Sequence, residues 1–127
     1  MGNIQDILNT ITKHSAKRIL IQAPEGLKKQ ITGIADELQK TGKDVIIYVD
    51  PCYGACDLPI YEAEQIGADL IVHIGHREFH KKVNSNVPVV YVDWNFDIKI
   101  DDNIKNEIKK LKEQRIGLIC SVQYLDS

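Results

Sequence analysis

Apolar residues along this chain recur at two alternating periods, and the alternation lays out its elements. Ile4, Ile7, Leu8 and Ile11 fall at helical spacing and predict a short amphipathic helix at the start. The compact run RILIQAP (18–24) reads as a strand stopped by Pro24. Leu27, Ile31, Ile34, Ala35 and Leu38 then trace one face of a helix that Gly42 can end. DVIIYVD (44–50) predicts a second strand, followed by a short helix over about 58–66 that stops at Gly67. DLIVHIG (69–75) and VPVVYVD (87–93) predict a third and a fourth strand, joined by a segment, 76–86, with a poor helical signal. Ile100, Ile104, Ile108 and Leu111 mark a last amphipathic helix, and RIGLICSVQ (115–123) reads as a fifth strand.

Strands that are apolar on both faces and mostly separated by helices imply a parallel sheet covered on both sides. The expected fold is therefore α/β, a three-layer domain with a mostly parallel sheet of four to five strands. The expected division is an α/β domain over 1–114 and a final strand within 115–127 that reads as the opening of a following domain. No internal repeat, low-complexity tract or flexible linker interrupts it.

Composition narrows the function classes. The 127 residues suffice for one domain with a real core. A net charge of −2 gives no basic field for nucleic acid, and Lys109, Lys110 and Lys112 read as the solvated face of a helix. No apolar run approaches the roughly 20 residues of a membrane span. The opening MGNIQDILNTITKH has no signal core, and Asp6 stands where a myristoylation motif takes Ser or Thr. The expected location is the cytoplasm, where thiols stay reduced, and three cysteines argue against a disulfide framework.

In open parallel sheets, ligands bind beyond the carboxyl ends of the strands, and the unusual short motifs of this chain all fall there. They are Pro24-Glu25-Gly26, Cys52-Tyr53-Gly54-Ala55-Cys56, His73-Ile74-Gly75-His76 and Asp93-Trp94-Asn95. Singly each reads as an ordinary turn; four on one rim mark a cleft. No nucleotide fingerprint occupies it, although Gly26 at a helix start lets backbone N–H groups face a small anion.

The stretch DPCYGACDLP (50–59) admits a metal or cluster site, a redox pair, or two unreactive cysteines. Cys52 and Cys56 have three residues between them, one more than a thioredoxin-type pair. Cys52, Cys56, His73 and His76 make a zinc set if the second and third strands lie close, but His73 also reads as a hydrogen-bonded core histidine. The common radical-enzyme run C-x-x-x-C-x-x-C fails here, since Pro59 takes its third position. Cys120 reads as a buried small hydrophobe, and Asp50 and Asp57 as turn or cap residues.

Taken together, QAPEGL (22–27), DPCYGACDLP (50–59) and ADLIVHIGH (68–76) resemble the first domain of the diphthamide-synthesis radical enzymes, the 2-(3-amino-3-carboxypropyl)histidine synthases, and most of all the archaeal form. The resemblance runs from about residue 16 to the end. It implies one repeat of a three-domain enzyme, each repeat giving one cysteine to a central [4Fe–4S] cluster, with Cys56 the ligand from this one. It further implies S-adenosylmethionine at the open iron, cleaved to a 3-amino-3-carboxypropyl radical that joins a histidine of translation elongation factor 2. Pro24, Glu25, Gly26, Tyr53, Gly54, Ala55 and His76 become the candidate cofactor-binding residues. No residue is assigned as a catalytic base.

Archaeal members of this family are homodimers, which makes a second copy an expected partner. Two departures stand out. The chain is about a third of the family's length, so it is expected to be one domain of a larger enzyme, completed by second and third domains or by other copies. Arg77-Glu78-Phe79 follows His76 where the family more often has small residues and a cysteine. Cys52 matches no family ligand. The alternative is a non-catalytic α/β interaction domain bearing zinc or free thiols. Quinolinate synthase shares the three-domain plan, but its motifs do not match.

Overall fold

The computed structural model describes residues 4–79, 84–96, 98–99, 101–113 and 115–124. Helix α1 (Ile4–Thr12) leads to strand β1 (Arg18–Gln22), a 3-10 turn (Glu25–Leu27) and helix α2 (Lys28–Lys40). Strand β2 (Asp44–Ile47), helix α3 (Ile60–Gln65), strand β3 (Leu70–Ile74), strand β4 (Val89–Val92) and helix α4 (Asp102–Ile108) follow. The four strands form one sheet in the order β2-β1-β3-β4, and every pairing is parallel.

Side chains alternate across the sheet, as strand geometry requires. Ile19, Ile21, Leu70, Val72 and Ile74 point to one face, where they meet Ile7 and Ile11 of α1 and Ile31, Ile34 and Leu38 of α2. Leu20 and Ile71 point to the other, where they meet Ala63 of α3 and Val87. This is the expected three-layer arrangement. Each fully buried Leu or Ile contributes about 1.5–3 kcal/mol of gross transfer free energy. Gly42, with φ 83°, ends α2 in the left-handed conformation.

Asp69, just ahead of β3, ties down the amino-terminal end of the sheet. Its carboxylate accepts from the backbone N–H of Lys17 and of Arg18, both at 2.8 Å. A depression of about 510 Å³ lined by His14, Lys17, Asp69 and Pro88 opens at this end, away from the cysteine loop.

Beyond β4 the structure departs from expectation. The last helix forms, but Ile104, Ile108 and Leu111 of its apolar stripe are exposed. The fifth strand expected over 115–123 does not form: residues 115–121 are irregular and exposed, and Val122–Tyr124 make a 3-10 turn. A strand exists only through pairing, and these residues pair with no strand among those described. Leu118 is 90% and Ile119 97% exposed, and Cys120 is exposed rather than buried. The chain returns at the 3-10 turn, where Phe96 N–H donates to the Gln123 carbonyl at 2.8 Å. Part of the weakly helical link, residues 80–83, lies outside the described residues.

Candidate metal and cofactor site

Parallel pairing aligns Gln22 of β1 with His73 of β3, and His73 with Tyr91 of β4. By alternation these three side chains share a face with Leu20 and Ile71, the face that α3 covers. The cysteine loop runs from β2 to α3 and so crosses the carboxyl edge of this face. The side-chain row meets it there: Gln22 Nε2 donates to the Asp57 carbonyl at 2.6 Å, and Tyr91 Oη to the Ala55 carbonyl at 3.3 Å.

Gln22 and His73 are the two buried polar side chains among the described residues, and they satisfy each other, with Gln22 Oε1 2.7 Å from His73 Nδ1. Because the Gln22 amide nitrogen is committed to Asp57, its oxygen must accept, so His73 carries its proton on Nδ1. His73 Nε2 is then a bare lone pair, 2.9 Å from His76 Nδ1. Burial pushes the His73 pKa down to about 4, with the neighbouring His76 adding to the shift, and burial also lowers that of His76. Both imidazoles are therefore neutral near pH 7.

Cys52 is buried on the same side, and burial raises its thiol pKa. One ligand atom each from Cys52, His73 and His76 lie within 4.8 Å of one another. Proximity of the second and third strands does not bring them together, since β1 separates those strands. The loop reaches over the end of β1 instead.

The other expected residues collect on the same rim in different settings. Cys56 is exposed at the turn of the loop, beside Gly54, where an added Cβ would sit 3.9 Å from Cys56 Sγ. Tyr53 is 86% exposed, and its backbone N–H donates to the Asp57 carboxylate at 3.1 Å. Pro24 precedes the 3-10 turn, Glu25 pairs with Lys28, and Gly26 has open space where a side chain would be. Lys28 also donates to the Val49 carbonyl and to the Asp50 carbonyl, joining this turn to the start of the cysteine loop. Asp93 is held by the Arg77 guanidinium at 2.7 Å, and Trp94 is part of the core. Sequence reading passed over Gln22 and Tyr91, although a glutamine in an otherwise apolar strand was a readable signal.

Comparison with known proteins places this arrangement. The family described as "Putative diphthamide synthesis protein" matches residues 23–127. A 2-(3-amino-3-carboxypropyl)histidine synthase of Pyrococcus horikoshii is 32% identical over 94% of this chain and 35% of its own length. Subunit 1 of the Caenorhabditis elegans enzyme of that name is 34% identical over 92% of this chain and 30% of its own. The crystal structure of Dph2 from Pyrococcus horikoshii with a 4Fe-4S cluster matches with a TM-score of 0.71 and 31% identity, over 84% of this chain and 31% of that one. The chain thus spans about a third of the length of these relatives. Three strand-end motifs on one rim, an all-parallel sheet and a match over most of its residues agree: this chain belongs to the diphthamide synthesis protein family.

Proposed function

We propose that this chain is the cluster-bearing first domain of an aminocarboxypropyl transferase. The enzyme moves the 3-amino-3-carboxypropyl group of S-adenosylmethionine to a histidine of translation elongation factor 2, the first step of diphthamide synthesis. The observation that carries the reading is Cys56, an exposed thiol on the ligand-binding rim of a fold shared with a 4Fe-4S protein. The donor set fits a contribution of one ligand: Cys56 is accessible and flanked by Gly54, whereas the buried Cys52 thiol turns toward the Gly54 carbonyl. The remaining thiolates come from following domains or further copies of the chain.

A bound cluster supplies one-electron reduction of the sulfonium at an open iron, in a non-standard radical reaction. The chain's own residues shape the surroundings. Gly26, Gly54 and Ala55 keep the rim free of bulk, and Pro24, Glu25, Tyr53 and His76 line it toward S-adenosylmethionine. The Gln22–Asp57 and Tyr91–Ala55 bonds hold the backbone on both sides of Cys56, fixing where its sulfur is presented. The exposed apolar residues of segment 115–121 and of α4 form the surface against which the rest of the enzyme packs. The reading extends to a cytoplasmic homodimer. Among the described residues no helix is long and apolar enough to cross a membrane.

The test uses the complete enzyme, purified without oxygen. Cys56→Ala is expected to lose the cluster by iron and sulfide content and by absorption, while Cys52→Ala keeps it. A full cluster in Cys56→Ala would refute the assignment.

A further inference from the structure

We propose that Cys52, His73 and His76 form a mononuclear site for a zinc-class divalent ion, with three protein ligands and a fourth position left to water. It uses the buried cysteine, not Cys56, and shares only His76 with the lining proposed above, so metal binding is read separately from the cluster.

The three donors converge from separate parts of the chain: Cys52 from the β2–α3 loop, His73 from within β3, and His76 from the turn after it. A tetrahedral zinc with bonds of about 2.0–2.1 Å to nitrogen and 2.3 Å to sulfur separates its donors by roughly 3.3–3.6 Å. The observed 2.9 Å between the two imidazole nitrogens and the 4.8 Å limit for the trio bracket that span. Widening the imidazole pair by about 0.4 Å and closing the widest separation by up to about 1.2 Å, through rotation of the Cys52 side chain and of His76, which is partly exposed and not held within a strand, completes the geometry.

The partner of His73 on its far side points the same way. A metal-binding histidine commonly donates its other ring N–H to a carbonyl or carboxylate, which fixes the tautomer and aims the free nitrogen at the metal. Gln22 Oε1 does this for His73 Nδ1, and Gln22 is itself oriented by the Asp57 carbonyl, part of the loop that carries Cys52. The tautomer that the network imposes is the one that leaves Nε2 free. A thiolate with two imidazoles suits zinc or cobalt better than magnesium or calcium. On binding, the Cys52 S–H proton leaves to water, and the His76 Nδ1 proton moves to Nε2 by way of solvent, so one proton is released per ion.

The purified full chain, stripped with a chelator, is titrated with Co²⁺ alone and then with Zn²⁺. The expected result is one cobalt per chain, with a thiolate-to-cobalt charge-transfer band and the intense visible bands of a four-coordinate ion, all displaced by zinc. Cys52→Ala removes the charge-transfer band. Gln22→Leu, which removes the partner that orients His73, weakens zinc binding about 10–100-fold, His76→Ala, which removes a ligand, weakens it further, and both retain that band. Cys56→Ala changes neither affinity nor spectrum. The proposal is overturned if the wild-type chain binds no cobalt, if Cys52→Ala keeps the band, or if Cys56→Ala removes it. Cys52→Ser, close in volume, repeats the test should the alanine variant fold poorly. Loss of iron from the complete Cys56→Ala enzyme is read separately, so each assignment fails on its own measurement.

Discussion

His73 and His76 stand three positions apart at the end of β3, yet their ring nitrogens are 2.9 Å from each other. In a continuing strand, residues three apart point to opposite faces. Gly75 intervenes at φ 98°, bends the chain and leaves the His76 ring beside that of His73.

Gly75→Ala is accordingly expected to disturb the pair. Its backbone lies where L side chains are strained, and an added Cβ would stand 3.0 Å from Leu27 Cδ1 and 3.3 Å from Pro24 Cδ. A loss of about 1–3 kcal/mol is expected in urea unfolding, with changed His76 ring shifts by NMR. Unchanged stability would contradict this account of the turn.

Gln22→Leu removes the acceptor for His73 Nδ1–H and the donor to the Asp57 carbonyl. Leaving the buried ring N–H unpaired costs about 1–3 kcal/mol. Nitrogen NMR of the imidazole reads the tautomer directly, and Gln22→Leu is expected to lose the preference for Nδ1–H. A variant that keeps that preference would show that the glutamine does not set it.

Acid sensitivity is expected at the opposite end of the sheet. The backbone N–H of Arg18, then that of Lys17, hold the Asp69 carboxyl below its ordinary value of 3.8. A depressed folded-state pKa means the unfolded chain takes up protons first, so this stabilisation is present above the ordinary value and lost as pH falls through the folded one. Asp69→Asn should flatten the acid limb of a stability–pH profile measured by denaturant unfolding. An equally steep limb in the variant would rule out Asp69 as a source.

Leu38 and Ile119 predict opposite outcomes for similar truncations. Leu38 is fully buried between α2 and the sheet, and Leu38→Ala is expected to cost about 2–5 kcal/mol. Ile119 is 97% exposed, so Ile119→Ser should change the stability of this chain by less than about 0.5 kcal/mol. Thermal or urea unfolding of the pair decides it; a large effect at Ile119 would show that 115–121 packs against this domain.

These sites also mark how far the sequence could be read. Ile19, Ile21, Ile31, Ile34 and Leu38 declared their faces through period alone, because burial of a helix stripe or a strand face is a local repeat in the chain. Strand centres were accurate and strand ends too generous: β2 stops at Ile47, where 44–50 was expected. The run 115–123 has strand composition yet forms no strand, since β propensity expresses itself only beside a partner.

The sequence by itself determined the α/β class, the two-sided burial of the sheet and the carboxyl rim as the place where Cys52, Cys56 and His76 belong. Each of these follows from periodicity or from chain order. Only the tertiary structure decided that Cys52 rather than Cys56 joins the histidines, that Gln22 selects the His73 tautomer, and that β1 lies between β2 and β3. Those depend on strand order, on register across three strands and on one bend at Gly75. They are contacts between residues up to about 50 positions apart, which no local pattern encodes.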